Sequence, residues 1–181
     1  MKLNLGAGYD QKVGWVNHDI SELPGIDVIH DLNIVPWPWI SGTVNEIKAL
    51  DLLEHLDDFI KSMEEIYRIT APGALIQIRV PYMGSWSFFS DPTHKRSFHE
   101  TTFMHFDPSS KYCIDRNYYT NARFSIEEIG FICAPFIPYF TLPGVGRVKV
   151  RRRASKLLLG FVNCFLIKNL IQDLEIVLKR A

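Results

Sequence analysis

The chain has 181 residues, of which 47% are hydrophobic and 22% charged, a composition that predicts one globular domain and excludes a disordered chain. Its net charge of zero hides a split: residues 1–146 carry 11 basic and 18 acidic side chains, whereas residues 147–181 carry 9 and 2. No apolar run reaches the roughly 18 residues of a membrane-spanning helix, and three cysteines without a CxxC pair favour reduced thiols in a cytosolic setting over a disulfide frame.

Short apolar runs alternate with turns through the first half of the chain. They predict strands at Lys2–Leu5, Trp15–Ile20, Ile26–His30, Val44–Leu50 and Ala74–Val80. Because the first of these strands begins so close to the N-terminus, we expect no signal peptide.

A helix is predicted to open at Asp57 and Asp58, which are good capping residues. Its apolar side chains repeat with the period of one helical face, at Phe59, Ile60, Met63, Ile66 and Tyr67. Residues 71–73, Ala-Pro-Gly, end the helix before the fifth strand. A strand–helix–strand unit of this kind indicates a parallel sheet and an α/β fold.

The first two connections are too short to contain a helix. A parallel crossover usually takes a dozen or more residues, but residues 9–14 and 21–25 are all that separate the first three strands. These segments reach back along a strand only if they are extended, so an antiparallel pairing across Pro24 and Gly25 is an alternative.

The second half of the chain has fewer regular signals. Residues 81–122 are predicted to be irregular, with a helical turn near Glu100–Phe106, and Phe124–Ala134 and Asp173–Lys179 are predicted strands. A basic and then apolar segment at about 147–172 precedes the last of them. No internal repeat or linker divides the chain, so residues 1–181 are predicted to form a single domain.

A glycine turn, Gly6-Ala7-Gly8, follows the first strand. A dinucleotide fold would need a third glycine at Gln11 and a helix N-terminus for the pyrophosphate, and a P-loop would need Gly-Lys-Ser/Thr. Neither is present, so the turn favours a nucleoside ligand that does not depend on a phosphate, such as S-adenosylmethionine. An ordinary tight turn is the alternative.

Two carboxylates follow the next strands. Asp19 ends the second predicted strand, where an acidic side chain can bind both hydroxyls of a ribose, and Asp31 follows the third, where it can accept from an adenine amino group. Open α/β sheets bind ligands at these carboxyl ends. The alternatives are a capping residue for Asp19 and a turn carboxylate for Asp31.

The string LNLGAG…GWVNHDI…DVIHDLN…PWPW…LLEHL…EIYRITAPGALIQIRVPY resembles small class I S-adenosylmethionine-dependent methyltransferases, and is most similar to a short bacterial group of them. The likeness covers residues 2 to about 107. It implies a Rossmann-like sheet of seven strands, mostly parallel and with the last strand antiparallel, here with shortened first crossovers.

The same resemblance implies the cofactor-binding residues. Gly6, Ala7 and Gly8 would border the methionine part, Asp19 with Ile20 the ribose, and Asp31 with Leu32 the adenine. Asn4 stands where many class I enzymes have an acidic residue near the methionine amino group. Leu50 and Asp51 would lie under the methyl-transfer site, with Asp51 at a position where relatives often have histidine.

The acceptor side is predicted in the segment SDPTHKRSFHETTF, after the fifth strand. Methyl transfer to a hydroxyl needs a base near neutral pKa, so Asp91, His94 and His99 are the predicted catalytic residues. Backbone capping is their alternative role. A metal ion at Asp91, His94 and His99 is conceivable, because a cluster of histidines and a carboxylate can bind transition metals, but their spacing matches no standard template, so no metal site is predicted.

Further side chains have open assignments. Glu54 and His55 face the cleft or form the first turn of a helix. The tryptophans at 37 and 39 stack on a substrate or cover the sheet edge, and four aromatic side chains form a lid or belong to the core: Tyr82, Trp86, Phe88 and Phe89.

The predicted function is S-adenosylmethionine-dependent methylation of a small acceptor, with a sugar hydroxyl of a glycan precursor as the expected target and no nucleic acid as partner. The alternative is a non-catalytic, membrane-associated binding module with a degenerate cofactor site, and a nicotinamide-dependent oxidoreductase is a third reading.

The basic segment predicts an element at a membrane surface. Six of the ten residues from Arg147 to Lys156 are basic, and an apolar stretch follows. On a helix, Lys156, Gly160, Asn163, Lys168 and Gln172 outline a narrow polar strip, typical of a helix in an anionic interface. Homodimer formation and a plain core helix are the alternatives. We therefore expect a cytoplasmic protein with peripheral attachment at the inner face of the membrane.

Overall fold

The computed structural model describes residues 1–133, 148–151 and 171–181. The described residues contain eight strands: β1 (Lys2–Leu5), β2 (Val16–Asp19), β3 (Val28–Ile29), β4 (Val44–Leu50), β5 (Thr70–Pro81), β6 (Phe124–Cys133), β7 (Val148–Arg151) and β8 (Ile171–Arg180). They also contain four α-helices and a 3-10 turn: α1 (Phe59–Ile69), α2 (Trp86–Ser90), α3 (Glu100–Met104), α4 (Lys111–Asp115) and Asn117–Tyr119.

One sheet holds all the described strands, in the order β3-β2-β1-β4-β5-β8-β6-β7. Neighbours from β3 to β5 are parallel, and β8 runs antiparallel to both β5 and β6. The prediction of a mostly parallel sheet with an antiparallel last strand is confirmed. Seven strands were expected, and β7 is an additional one at the edge, antiparallel to β6.

The first crossovers are parallel in spite of their length. Leu3 is paired with Val16, and His18 with Val28, both in parallel register. The antiparallel alternative across Pro24 and Gly25 is therefore wrong. Both connections consist of turns and extended chain, so the ligand edge beside β1 and β2 is built from loops. The third strand is shorter than predicted, two residues instead of five.

Helix α1 attaches the central sheet to the segment that follows β5. It begins where predicted, because Asp58 is its N-cap and accepts a hydrogen bond from the N–H of Lys61 at 3.0 Å. The ring of Phe59 on its buried face packs edge-on against Phe98, Phe103 and Phe106, with centroids 5.1–5.7 Å apart. Burial of such a ring contributes about 1.5–3 kcal/mol, which fixes the loop that carries His94.

The C-terminal predictions fall mostly on residues 134–147 and 152–170, which lie outside the described residues. Four residues of the basic run, Val148–Arg151, form strand β7. Gln172, which was placed on a helix by the sequence pattern, lies in strand β8. In the described part of the chain, no helix combines the length and apolar character needed to cross a membrane.

Candidate active site

The glycine turn after β1 adopts backbone angles that favour glycine. Gly6 and Gly8 have φ values of +63° and +49°. A Cβ at Gly6 would also lie 3.0 Å from Cδ1 of Leu52, whereas a Cβ at Gly8 would meet no atom within 4 Å. The turn thus packs closely on the segment after β4 at Gly6 and faces open space at Gly8, which suits a ligand that approaches the backbone.

Gln11 occupies the place of the missing phosphate-binding helix. Its Nε2 donates to the carbonyl oxygens of Gly8 at 3.0 Å and of Pro24 at 2.7 Å. One side chain therefore ties the glycine turn to the loop between β2 and β3. Because this is a neutral amide bridge, the turn is held without a helix dipole and without a charge that would attract phosphate.

Asp19 connects the glycine turn to the end of β2. Its Oδ2 accepts the backbone N–H of Gly8 and its Oδ1 that of Ser21, both at 2.9 Å. Each oxygen keeps a second lone pair, which is the capacity that two ribose hydroxyls require. Ile20 beside it is 62% exposed and offers an apolar surface at the same edge.

Asn4 has a supporting position under the turn. It is buried, and its Nδ2 donates to the carbonyl oxygen of Asp10 at 2.9 Å and to Oδ1 of Asn17 at 3.1 Å. Both amide protons are used within the protein. Through these bonds Asn4 fixes the loop of residues 9–14, and its contact with a cofactor stays a prediction.

His18 supports the same turn from the neighbouring strand. Its Nε2 lies 2.9 Å from the carbonyl oxygen of His30, which can only accept, so Nε2 carries the proton and Nδ1 is left with a lone pair 3.5 Å from the N–H of Gly6. Burial lowers the pKa of His18. A neutral imidazole is therefore the form that fits here.

Asp31 and Leu32 lie next along the sheet edge. Oδ1 of Asp31 accepts both the backbone N–H and the side-chain Nδ2 of Asn33, at 2.9 and 3.0 Å, while Oδ2 accepts from no residue that the structure describes. The side chain of Leu32 is 5% exposed and belongs to the hydrophobic core. Its side chain is thus a core element, and Trp37 Nε1 donates to its carbonyl oxygen. The contact of Leu32 with an adenine stays a prediction.

The end of β4 carries an unusual backbone conformation. Asp51 directly follows Leu50 and has φ +54°, the left-handed region that non-glycine residues rarely adopt. Its carboxylate accepts two hydrogen bonds from the guanidinium of Arg79 on β5, and this pair raises the pKa of Arg79. Strained residues of this kind concentrate at functional sites, and the pair neutralises a carboxylate at the predicted methyl-transfer position.

A cluster of polar side chains, which we call the polar group, follows Asp51. It consists of Glu54, His55 and His94 and combines residues from two loops. Glu54 and His55 form a turn before α1, so their alternative role as first-turn residues of a helix is wrong. His94 arrives from the segment after α2, which is fixed by a hydrogen bond from the N–H of Lys95 to the carbonyl oxygen of Glu54 at 2.9 Å. The rings of His55 and His94 pack edge to face with centroids 4.8 Å apart.

The carboxyl group of Glu54 is buried in an unusual state. The residue is 0% exposed, and neither Oε1 nor Oε2 has a hydrogen-bond partner among the described residues. Nε2 of His94 lies 3.9 Å from its Oε1. Burial, reinforced by the charge of Asp51, raises the pKa of Glu54 to about 8. Such a carboxyl is costly to bury and is typical of functional sites.

The hydrogen bonds of the two imidazoles assign their tautomers. Nδ1 of His94 lies 3.0 Å from the carbonyl oxygen of Phe88 and must donate to it. The hydroxyl of Thr93 donates to Oδ1 of Asp91 at 2.6 Å, and this bond contributes to lowering the pKa of Asp91. Nδ1 of His55 lies 2.9 Å from the same hydroxyl oxygen. Because the hydroxyl proton is already used, Nδ1 must donate its own proton to this oxygen. Both rings keep their lone pair on Nε2.

The three predicted catalytic residues, Asp91, His94 and His99, do not all lie together. Oδ2 of Asp91 is 4.0 Å from Nε2 of His94, so these two are neighbours. His99 instead caps helix α3, contacts Oε2 of Glu100 at 3.1 Å, and lies beside Tyr82 with ring centroids 5.7 Å apart. The alternative role of backbone capping therefore applies to His99, and its catalytic role stays a prediction.

The aromatic side chains separate into core and surface. Trp37 and Trp39 are 2% and 7% exposed, so they cover the sheet and do not stack on a substrate. Trp86 and Phe89, on α2, are exposed, and the ring of Phe88 stacks on His94 at 6.0 Å. Helix α2 therefore presents an apolar surface beside the polar group.

Comparison with known proteins identifies the architecture. Neither a family model nor a curated protein matches the sequence. Among solved structures, a methyltransferase from Archaeoglobus fulgidus described as dependent on S-adenosylmethionine is similar over 99% of this chain and 85% of its own, with a TM-score of 0.63 and 18% identity. A second one, from Thermotoga maritima, has a TM-score of 0.62 at 11% identity and covers 99% and 82%.

The fold is that of class I S-adenosylmethionine-dependent methyltransferases. The cyclase SpnF also has a similar structure, with a TM-score of 0.56 and 12% identity over 99% of this chain and 74% of its own. The class I methyltransferase fold thus hosts more than one kind of reaction, and activity has to be argued from the site.

Sequence reasoning missed several members of this candidate site. Gln11 was noted only as a missing glycine, and Leu52 and Arg79 were not considered. Arg79 gave no local signal, because it lies within an apolar strand and meets Asp51 only through the register of β4 and β5. Gln11 did give a local signal. A glutamine in place of the third glycine brings a side-chain amide that needs hydrogen-bond partners.

Proposed function

We propose that this chain is an S-adenosylmethionine-dependent methyltransferase. The observation that carries the proposal is the glycine turn, fastened to Asp19 by the N–H of Gly8 and to a neighbouring loop by Gln11, at the ligand edge of a class I sheet. This arrangement offers an open backbone and a ribose acceptor but no phosphate-binding helix. S-adenosylmethionine, with an adenosine and no phosphate, has the matching chemistry.

The residues present fit this cofactor. The space in front of Gly8 would receive the methionine part, the free lone pairs of Asp19 the ribose hydroxyls, and Oδ2 of Asp31 the adenine amino group. When bound, the cofactor supplies an electrophilic methyl group on a positively charged sulfur.

The acceptor would lie beside Asp51 and the polar group after β4. Methylation of a hydroxyl requires a group that takes up its proton, and Nε2 of His94 holds the lone pair for this role. Asp91 lies 4.0 Å from that atom and would stabilise the imidazolium. The chain's own contribution is thus to orient the acceptor oxygen and accept its proton.

A sugar hydroxyl is the proposed acceptor class. Hydroxyls of sugars need a base to react at neutral pH. The exposed rings of Trp86 and Phe89 on α2, the helix whose Phe88 stacks on His94, provide flat apolar surfaces of the kind that pack against sugar rings. A panel of nucleotide sugars, free glycans, catechols and amines, each tested for formation of S-adenosylhomocysteine, would compare acceptors. Turnover with amines but with no hydroxyl compound would overturn this part.

The competing readings make different predictions. A non-catalytic binding module has no need for two oriented imidazoles beside a buried carboxyl, which weighs against it. A nicotinamide-dependent enzyme would need the phosphate-binding helix that the glycine turn lacks. A thermal-shift panel separates them: S-adenosylhomocysteine should raise the melting temperature and NAD should not, because a ligand selective for the native state stabilises it by mass action.

We also propose that the segment from Arg147 to Lys156 contacts anionic lipid. The protein would then be cytoplasmic and attached peripherally to the inner face of the membrane. Its support is the charge of the sequence alone. The described strand β7 offers a competing reason for part of that charge, because basic residues on an edge strand hinder edge-to-edge association. Salt-sensitive co-sedimentation with anionic but not neutral vesicles supports the lipid contact. No sedimentation at low salt refutes it, and a mass measurement then tests the homodimer.

A further inference from the structure

We infer that Glu54, His55 and His94 form a binding site for a divalent transition-metal ion, with one ligand atom from each side chain. These ligand atoms lie within 4.8 Å of one another. Two imidazole nitrogens and one carboxylate oxygen are a donor set that Zn²⁺, Fe²⁺ and Co²⁺ bind, whereas Mg²⁺ and Ca²⁺ prefer oxygen ligands. The site is independent of the proposed cofactor, since none of the three residues belongs to the glycine turn or its partners.

The buried carboxyl of Glu54 is the observation that points to a ligand. It is completely buried, yet neither of its oxygens has a hydrogen-bond partner among the described residues. An unsatisfied buried polar group costs about 1–3 kcal/mol. A cation bound between Glu54 and the two imidazoles would supply the missing partner, as buried charges in proteins are paired or coordinate metals.

Each imidazole has its Nδ1 held by a hydrogen bond. The carbonyl oxygen of Phe88 holds Nδ1–H of His94, and the hydroxyl of Thr93, itself held by Asp91, holds Nδ1–H of His55. Each ring therefore presents the lone pair of Nε2. Metal-binding histidines commonly have their second nitrogen fixed in this way by a carbonyl or a carboxylate, and such partners tune the affinity.

The spacing permits closure around an ion with small movements. Nε2 of His94 lies 3.9 Å from Oε1 of Glu54. Ligand atoms about 2.1 Å from a tetrahedral Zn²⁺ are roughly 3.4 Å apart, so the group has to contract by about 1 Å. Three protein ligands leave a coordination position open, which an oxygen of the acceptor or a water can take. With the ion bound, His94 is a ligand and not a proton acceptor.

The sequence did not predict this site, because the two loops that form it are almost forty residues apart. The pattern had suggested Asp91, His94 and His99 as the conceivable set. In the structure His99 caps α3. Only His94 of that set belongs to the site, and the other two ligands, Glu54 and His55, come from the turn after β4.

Calorimetric titration of the chelator-treated full chain with ZnCl₂ tests the inference, with no S-adenosylmethionine present. We expect one ion per chain, and we expect His55→Ala and His94→Ala each to weaken binding at least tenfold. Thr93→Val should weaken it about 10–100-fold by releasing His55. Co²⁺ should give visible absorption of a four- or five-coordinate ion, lost in the same variants.

His30→Ala is the matched control, since that imidazole lies after β3 and bonds the carbonyl oxygen of Ile34. It should bind zinc like the wild type. Glu54→Gln keeps the shape of the buried side chain and should weaken binding as well; if it does not fold, the two histidine variants decide. Absence of zinc binding, or zinc binding that survives both His55→Ala and His94→Ala, overturns the site. Binding of S-adenosylhomocysteine is measured separately, so failure here leaves the proposed function standing.

Discussion

Gly8 donates its backbone N–H to Oδ2 of Asp19 over 2.9 Å, which fastens the turn after β1 to the end of β2. The second oxygen of the same carboxylate accepts from Ser21. Asp19 therefore has two functions in the proposed site. It fixes the backbone that a ligand approaches, and it offers its remaining lone pairs to that ligand, so the shape of the turn and the acceptor for the ribose are coupled.

Gln11→Ala should loosen the glycine turn. The substitution removes the hydrogen bonds to Gly8 and Pro24, each with a net contribution of about 1 kcal/mol. We expect urea unfolding to show a loss of about 1–2 kcal/mol and calorimetry to show weaker binding of S-adenosylhomocysteine. Gln11→Glu keeps the length of the side chain but cannot donate a hydrogen bond at neutral pH, so it should show the same losses as Gln11→Ala. Unchanged affinity in both variants would remove Gln11 from the site.

Gly6→Ala should reduce ligand affinity, with Gly14→Ala as its matched control. Both glycines have positive φ, +63° and +78°, so both variants should lose about 1–2 kcal/mol of stability. Only at Gly6 does the new Cβ press on Leu52, at 3.0 Å, whereas Gly14 has open space. Calorimetry should therefore show weaker binding of S-adenosylhomocysteine for Gly6→Ala alone. Equal affinities in the two variants would contradict the role of this contact.

His18 should make stability depend on pH. Burial lowers its pKa in the folded protein, so the unfolded chain binds a proton more readily. The contribution of neutral His18 to the stability of the folded protein is therefore complete above the unfolded-state pKa of about 6.5. It is lost as the pH falls through that value. Below that value the folded protein loses stability as the pH falls, until the pH reaches the lower pKa of His18 in the folded state. Urea unfolding of His18→Gln at about pH 7.5 and about pH 5.5 should show a correspondingly smaller loss than the wild type; equal losses would contradict it.

His94→Ala should reduce turnover by about 10²–10⁴-fold whether His94 accepts the proton or binds the ion. The affinity for S-adenosylhomocysteine should stay near the wild-type value, because His94 lies away from the glycine turn. His99→Asn, which keeps a capping residue for α3, should retain most of its activity. Full turnover in His94→Ala would return its loop to a structural role, and a large loss in His99→Asn would support the catalytic prediction for His99.

Much of the fold could be predicted because its signals are local. Strand β4 has the predicted bounds, since polar and apolar residues alternate through its centre from Glu46 to Ala49, and Asp58 marks the start of α1. The shortness of β3 was not predictable, because only pairing with β2 defines it. Gln172 was misplaced on a helix for a similar reason: the apolar pattern of its segment does not separate helix from buried strand.

The site was predicted less completely, because its contacts join distant segments. The positions of Gly6, Gly8 and Asp19 followed from the pattern of strand and turn. The burial of Leu32 in the core was not predicted, since a sequence does not show which neighbour of Asp31 points inward. The pairing of Glu54 with His94 requires two loops to meet, which no spacing rule contains.

Calorimetric titration with S-adenosylhomocysteine tests the proposed function most directly, in the wild type, Asp19→Ala and Glu22→Ala. Glu22 is an exposed carboxylate in the same loop and serves as the control. We expect one binding site per chain in the wild type and in Glu22→Ala. Asp19→Ala should bind roughly tenfold or more weakly, because two ribose hydroxyls lose their acceptor and the turn its anchor. No binding by the wild type at millimolar concentration, or equal affinity in all three proteins, would contradict a nucleoside cofactor at this turn.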